Sequence, residues 1–123
     1  MEINNSNTLL ELTRQFERYQ LAIIENDVAV LNELFWNSPH TLRYGIGENL
    51  YGHGQIAAFR GARDPKSVTR VVGKTVITSY GEDAATTNIE FTRAGRKGRQ
   101  SQVWIRMPEG WRIVAAHVSF MTE

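Results

Sequence analysis

The sequence predicts an α+β fold, a curved antiparallel sheet wrapped around N-terminal helices. Two observations carry this. The longer segments up to Gly61 repeat their apolar residues at three- and four-residue spacing, whereas from Val68 onward the spacing is two. Helical segments therefore come first and strands follow, the order of an α+β chain. The 123 residues form one domain, residues 1–123, with no linker, repeat or low-complexity stretch. A chain of this length buries about two-thirds of its unfolded surface and needs no disulfide or metal to hold its core.

Thr8–Glu25 reads as the first helix. Thr8 and Glu11 form a capping box, and Leu9, Leu12, Phe16, Tyr19 and Ile23 make one apolar stripe. Asn26-Asp27 breaks this helix and caps a second, whose apolar face is Val28, Leu31, Leu34 and Phe35. Ser38-Pro39 ends it, because the proline ring disfavours helix in the residue before it. His40–Gly45 and Glu48–Tyr51 are short strands around a turn at Gly45 and Gly47. Gly52-His53-Gly54 opens a third helix, with Ile56 and Phe59 inward and an end near Gly61.

Four long strands follow: Val68–Tyr80, Asp83–Arg93, Arg99–Met107 and Trp111–Phe120. Gly81-Glu82, Ala94–Gly98 and Pro108–Gly110 connect them with turn-rich, hairpin-length segments. The first would span about 40 Å if straight, so it must twist or bend. On the last strand Trp111, Ile113 and Ala115 alternate with Val114, Ala116 and Val118, which predicts two apolar faces and a homodimer through the second.

Composition removes several classes of function. There is no cysteine, hence no disulfide framework, cysteine-zinc site or thiol nucleophile, and the cytoplasm is the default compartment. Fourteen basic against 13 acidic residues give a net charge of +1, without the basic excess of a nucleic-acid module. No apolar run is long enough to span a membrane, and MEINNSN lacks the parts of a signal peptide. His40, His53 and His117 stand at no metal-ligand spacing, and phosphate-binding and dinucleotide motifs are missing, so neither metal nor cofactor is expected.

Three residues carry candidate chemistry. Tyr19 lies in the apolar stripe of the first helix, where its hydroxyl either bonds the backbone or projects into a cavity. Arg43 lies between Leu42 and Tyr44 on a short strand. Turned inward it needs an anion, which its planar fork would grip bidentately; the alternatives are an outward side chain or a pair with Glu48 or Glu90. His117, between Ala115 and Ser119, is either structural or a base or donor. Arg60 and Arg63 read as solvent-facing, and the Arg93, Arg96, Lys97 and Arg99 group as a loop tip that could steer anions at a pocket mouth.

The segments LFWNSPHTLRYGIGENLYGHGQIAAFRGAR and GRQSQVWIRMPEGWRIVAAHVSF resemble the SnoaL-like branch of the nuclear-transport-factor-two-like superfamily, and within it the AtzH and oxalurate-catabolism (HpxZ) group. The resemblance runs from Leu9 to Phe120. It implies a pocket at the wide end of a cone and a homodimer. It also implies decarboxylating amidohydrolase activity on a carboxylated urea or ureido acid, a small anionic substrate. The tyrosine and arginine of that pattern fall on Tyr19 and Arg43. Trp36, Arg60, Gln102 and His117 are further candidates for substrate contact. The alternative is a non-catalytic dimeric module that holds a metabolite or an amidase partner. An isomerase-type site, also known on this fold, would need Glu90 as its base.

Overall fold

A computed structural model describes residues 1–65 and 69–122. Three helices, α1 (Ser6–Glu25), α2 (Val28–Leu34) and α3 (His53–Ala62), pack on one face of a six-stranded sheet. The strands are β1 (Leu42–Tyr44), β2 (Asn49–Tyr51), β3 (Val71–Tyr80), β4 (Ala84–Arg93), β5 (Arg96–Met107) and β6 (Gly110–Phe120), in the order β2-β1-β6-β5-β4-β3. Every neighbouring pair is antiparallel except β1 and β6, which run parallel. Val68, where the first long strand was expected to begin, lies outside the described residues.

Local chemistry accounts for the helix ends. Asn5, not Thr8, caps α1: its side-chain oxygen accepts from the Thr8 amide at 3.2 Å. The expected Thr8–Glu11 capping box therefore does not form. Asparagine is among the best caps and starts the helix two residues earlier. Thr8 is buried, and Glu11 pairs instead with Arg106 at 2.7 Å. At the other end Asn26 takes the left-handed conformation, φ 51°, which asparagine tolerates. Asp27 then caps α2 through the Val30 amide at 3.1 Å.

The core lies between the helices and the concave face. Leu12, Leu31, Leu34, Phe35, Ile56, Trp104 and Ile113 are fully buried there. Phe35 leaves α2 in extended form and bridges to Ile113, while the Trp36 amide donates to the Ile113 carbonyl at 2.9 Å. That seam fixes where the helices sit on the sheet.

Two strand details differ from the expectation. The β4–β5 hairpin turns on only two residues, Ala94 (φ 51°) and Gly95 (φ 78°), with Arg93 opposite Arg96. Positive φ at both central positions gives the turn that matches strand twist, so Arg96–Gly98 belong to the strand and not to a loop. On β6, Val114 and Ala115 together oppose Val103, a bulge that reverses the alternation. Trp111 and Ile113 before it, and Ala116 and Val118 after it, are therefore all buried, whereas His117 is exposed. The two apolar faces expected of this strand are one face, and the homodimer loses that argument, resting on the resemblance alone.

Gly98 lies under the ring of Phe91, its cross-strand partner; a β-carbon there would stand 2.3 Å from the ring. Phe91 is itself buried against Phe120, so the ring has little room to yield. Gly98→Ala should destabilise the fold by about 1–3 kcal/mol through overpacking, measurable as a lower urea midpoint at unchanged slope. An unchanged midpoint would mean that the ring moves freely. Among the described residues no helix is long and apolar enough to cross a membrane.

Candidate functional site

A cavity of about 150 Å³ opens between α1, α3 and the concave face near the β4–β5 hairpin. A volume of that size suits a benzene-sized guest. Its walls are Ile23, Phe59, Phe91 and Val118, and its polar groups are Tyr19, Gln100, Glu48 and five arginines: Arg43, Arg60, Arg63, Arg70 and Arg93. Among the described residues five guanidinium groups and one carboxylate line it, an excess of positive charge.

The arginines are delivered by several pieces of the fold. Arg43 comes from β1, lies over the Phe59 ring at 5.6 Å and donates to Glu48 at 2.9 Å. Glu48 can fold back because Gly45 has no side chain; a β-carbon there would overlap the carboxylate. Arg60 is 4% exposed, stands over Phe35 at 4.7 Å and donates to the Asn32 amide oxygen at 2.8 Å. Arg63, three residues later, is the C-cap of α3, in extended conformation with its amide donating to the Phe59 carbonyl. Arg70, just before β3, lies over Phe91 at 5.3 Å and donates to Gln100 at 2.8 Å and Gln20 at 2.7 Å. Tyr19, 6% exposed, donates to the same Gln100 oxygen at 3.3 Å. That distance exceeds the normal range for a hydroxyl donor, so the bond is weak.

Burial disfavours the charged arginines. It lowers Arg60 to about 10, with Arg63 and Arg43 adding repulsion and Tyr19 opposing. Arg63 is lowered too, first by burial and then by Arg43, and Arg93 first by burial and then by Arg70 and Arg43. A guanidinium remains protonated at neutral pH regardless. The physical meaning is a set of desolvated cations whose charge an incoming anion would neutralise.

The structure brings together Tyr19, Arg43 and Arg60 of the expected residues. Gln102 is buried on the same concave face, beside a smaller cavity that Tyr19 and Arg43 also line. Trp36 is half-buried with its ring against His40, centroids 6.4 Å apart, away from the main cavity. His117 also borders that smaller cavity, but it is exposed and its ring stands edge-on to Tyr44 at 5.7 Å. Glu90 is exposed on the outer face, which leaves an isomerase-type site without its base. Arg63 was expected in solvent and lines the cavity instead. Arg70 and Gln100 carried no expectation.

A model of the AtzH-like family matches residues 1–123. Among solved structures, a Pectobacterium atrosepticum protein of unknown function from the DUF3225 family is 54% identical. The match covers 98% of this chain and 95% of that one, with a TM-score of 0.94. A cystatin-like fold protein from Burkholderia xenovorans is 41% identical over 100% of this chain and 98% of that one, also at a TM-score of 0.94. A nuclear transport factor 2 (NTF2-like) superfamily protein from Salmonella enterica, at 28% identity, covers 96% and 94% with a TM-score of 0.74. No curated protein matches the chain. Helices first, a curled six-stranded sheet around them, and a family match over the whole length lead to one statement: the chain is an NTF2-like domain that belongs to the AtzH-like family.

Proposed function

We propose that this domain hydrolyses a carbon–nitrogen bond of a small carboxylated urea or ureido acid. The observation that supports it best is a buried tyrosine hydroxyl, loosely held, on the wall of an arginine-rich cavity of benzene-guest size. A small, flat, anionic molecule matches both the volume and the charge. A carboxylate bound by Arg43 and its neighbours would lose its water shell and be oriented for attack. Negative charge that develops on the urea carbonyl oxygen would form in a field already set by the remaining guanidinium groups. Tyr19 would protonate the departing nitrogen. The carbamate left after water addition would lose carbon dioxide.

Time-resolved carbon NMR of the purified protein with a panel of ureido acids, including carboxylated ureas made in situ, tests this. The expected result is decay of a ureido carbonyl signal with matching growth of bicarbonate. Broadening of substrate lines without conversion would instead leave an anion-binding module.

A further inference from the structure

Gln100 and Gln102 stand two residues apart on the concave face of β5, and they are not equivalent. The Trp104 indole nitrogen donates to the Thr87 hydroxyl oxygen at 3.0 Å, and that hydroxyl donates to the Gln102 side-chain oxygen at 2.9 Å. The hydroxyl thus accepts from the indole and spends its one proton on Gln102, so it is the amide oxygen that faces Thr87. The other end, Nε2, is buried and finds no acceptor among the described residues. Gln102 is 1% exposed. It borders a cavity of about 10 Å³ whose lining includes Tyr19, Arg43, Gln100, Ala116 and His117, the last with its ring turned to Tyr44. That volume holds one water molecule and nothing larger. A buried amide donor left unpaired is costly, and a single water provides the acceptor.

We infer that Gln102 holds the water that attacks the substrate carbon, an inference that rests on the hydrolase reading above. The water accepts from Gln102 Nε2 and donates to the Tyr19 oxygen, whose own proton is turned toward Gln100. This keeps a lone pair of the water for the urea carbon. In the reaction the water oxygen forms the new C–O bond and one of its protons passes to the Tyr19 oxygen. The proton Tyr19 already carries passes to the nitrogen, and the C–N bond breaks. Tyr19 ends as it began, and no separate base is required. Gln102 is thereby the residue that places the nucleophile, and Tyr19 the one that moves protons on both sides.

The test combines a high-resolution crystal structure of the wild-type protein with kinetics of two variants. Gln102→Glu keeps the size and the acceptor for Thr87 but removes the amide donors. Ala116→Val leaves Gln102 and its relay intact and fills the small cavity. Both should lower kcat by about a hundredfold with KM within about threefold of wild type, the pattern of a lost chemical step and not of lost binding. The crystal structure should show one water about 2.9 Å from Nε2. No water at that position overturns the inference whatever the kinetics. A water there with undiminished kcat in Gln102→Glu overturns the catalytic role. A wild-type protein that shows the water but turns over nothing refutes the hydrolase reading, and the water's part as nucleophile with it.

Discussion

Tyr19→Phe is expected to lower kcat by about 10²–10⁴-fold and to leave substrate binding nearly intact. The substitution removes one oxygen. The ring keeps its place in the core, including its stacked neighbour Phe16 at a centroid distance of 6.1 Å. The lost hydrogen bond is the long one to Gln100, which Arg70 continues to engage, so stability should change little. Arg43→Ala is expected to differ in kind. It removes a binding group and strands Glu48, so KM should rise along with the fall in kcat. Arg43→Lys should rescue little, because an ammonium cannot offer two parallel donors. Separate kcat and KM values from the carbon NMR assay, with calorimetric titration of an unreactive dicarboxylate, distinguish these patterns. Wild-type kcat in Tyr19→Phe would remove the tyrosine from the chemistry.

Arg60→Met is expected to stabilise the free protein by on the order of 1 kcal/mol while weakening anion binding. The Arg60 guanidinium is almost wholly buried, its Nε finds no acceptor among the described residues, and its Nη1 donates to the neutral Asn32 amide oxygen. Replacing a buried charge by an apolar side chain of similar volume is often neutral or stabilising. The contact over Phe35 offsets part of the penalty, which keeps the expected gain modest. The sign with pH follows from the lowered value. Below about 10 the group is charged in both the folded and unfolded states and the burial penalty is fully present. Above about 10, and up to the more basic value of an exposed guanidinium, the folded state releases the proton first, and this group's contribution to stability rises. A small carboxylate should raise the melting temperature of the wild-type protein by mass action, and do so much less in Arg60→Met. Equal ligand-induced shifts would place the anion elsewhere.

The elements of this fold were legible because their periods are clean, and the misreadings share a cause. The reading of Arg60 and Arg63 as solvent-facing followed from their charge. Yet Ile56, Phe59 and Arg60 share one stripe of α3, of which Ile56 and Arg60 are buried, and Arg63, the C-cap, continues the same spacing one turn on. Helical spacing was the better guide than polarity, and it would have pointed both arginines into the fold. On β4, Ala85, Thr87, Ile89 and Phe91 are buried at alternate positions, and Arg93 continues the same series onto the cavity wall. Tyr19 was legible because an apolar stripe with one hydroxyl leaves that hydroxyl a short list of destinations. The bulge on β6 was not, since Val114-Ala115-Ala116 has no glycine or proline to mark it. Only the pairing with β5 reveals the extra residue. Arg70 and Gln100 meet across thirty residues of sequence, a contact that follows from sheet order and that no local pattern encodes.

That extra residue on β6 makes chain length, more than side-chain identity, the quantity under constraint there. Val114 and Ala115 are only partly buried, so many side chains would fit at either position. Dropping one of the two would leave the facing of the strand as it is: Trp104 already opposes Ile113, Val103 opposes Ala115 and Gln102 opposes Ala116, so Ala116 and Val118 would still point inward and His117 outward. What the strand would lose is the local bend and extra twist that a bulge supplies, and with them the curl of the sheet beside Gln102. A one-codon deletion at this point would therefore flatten the floor of the site without replacing a single side chain that lines it.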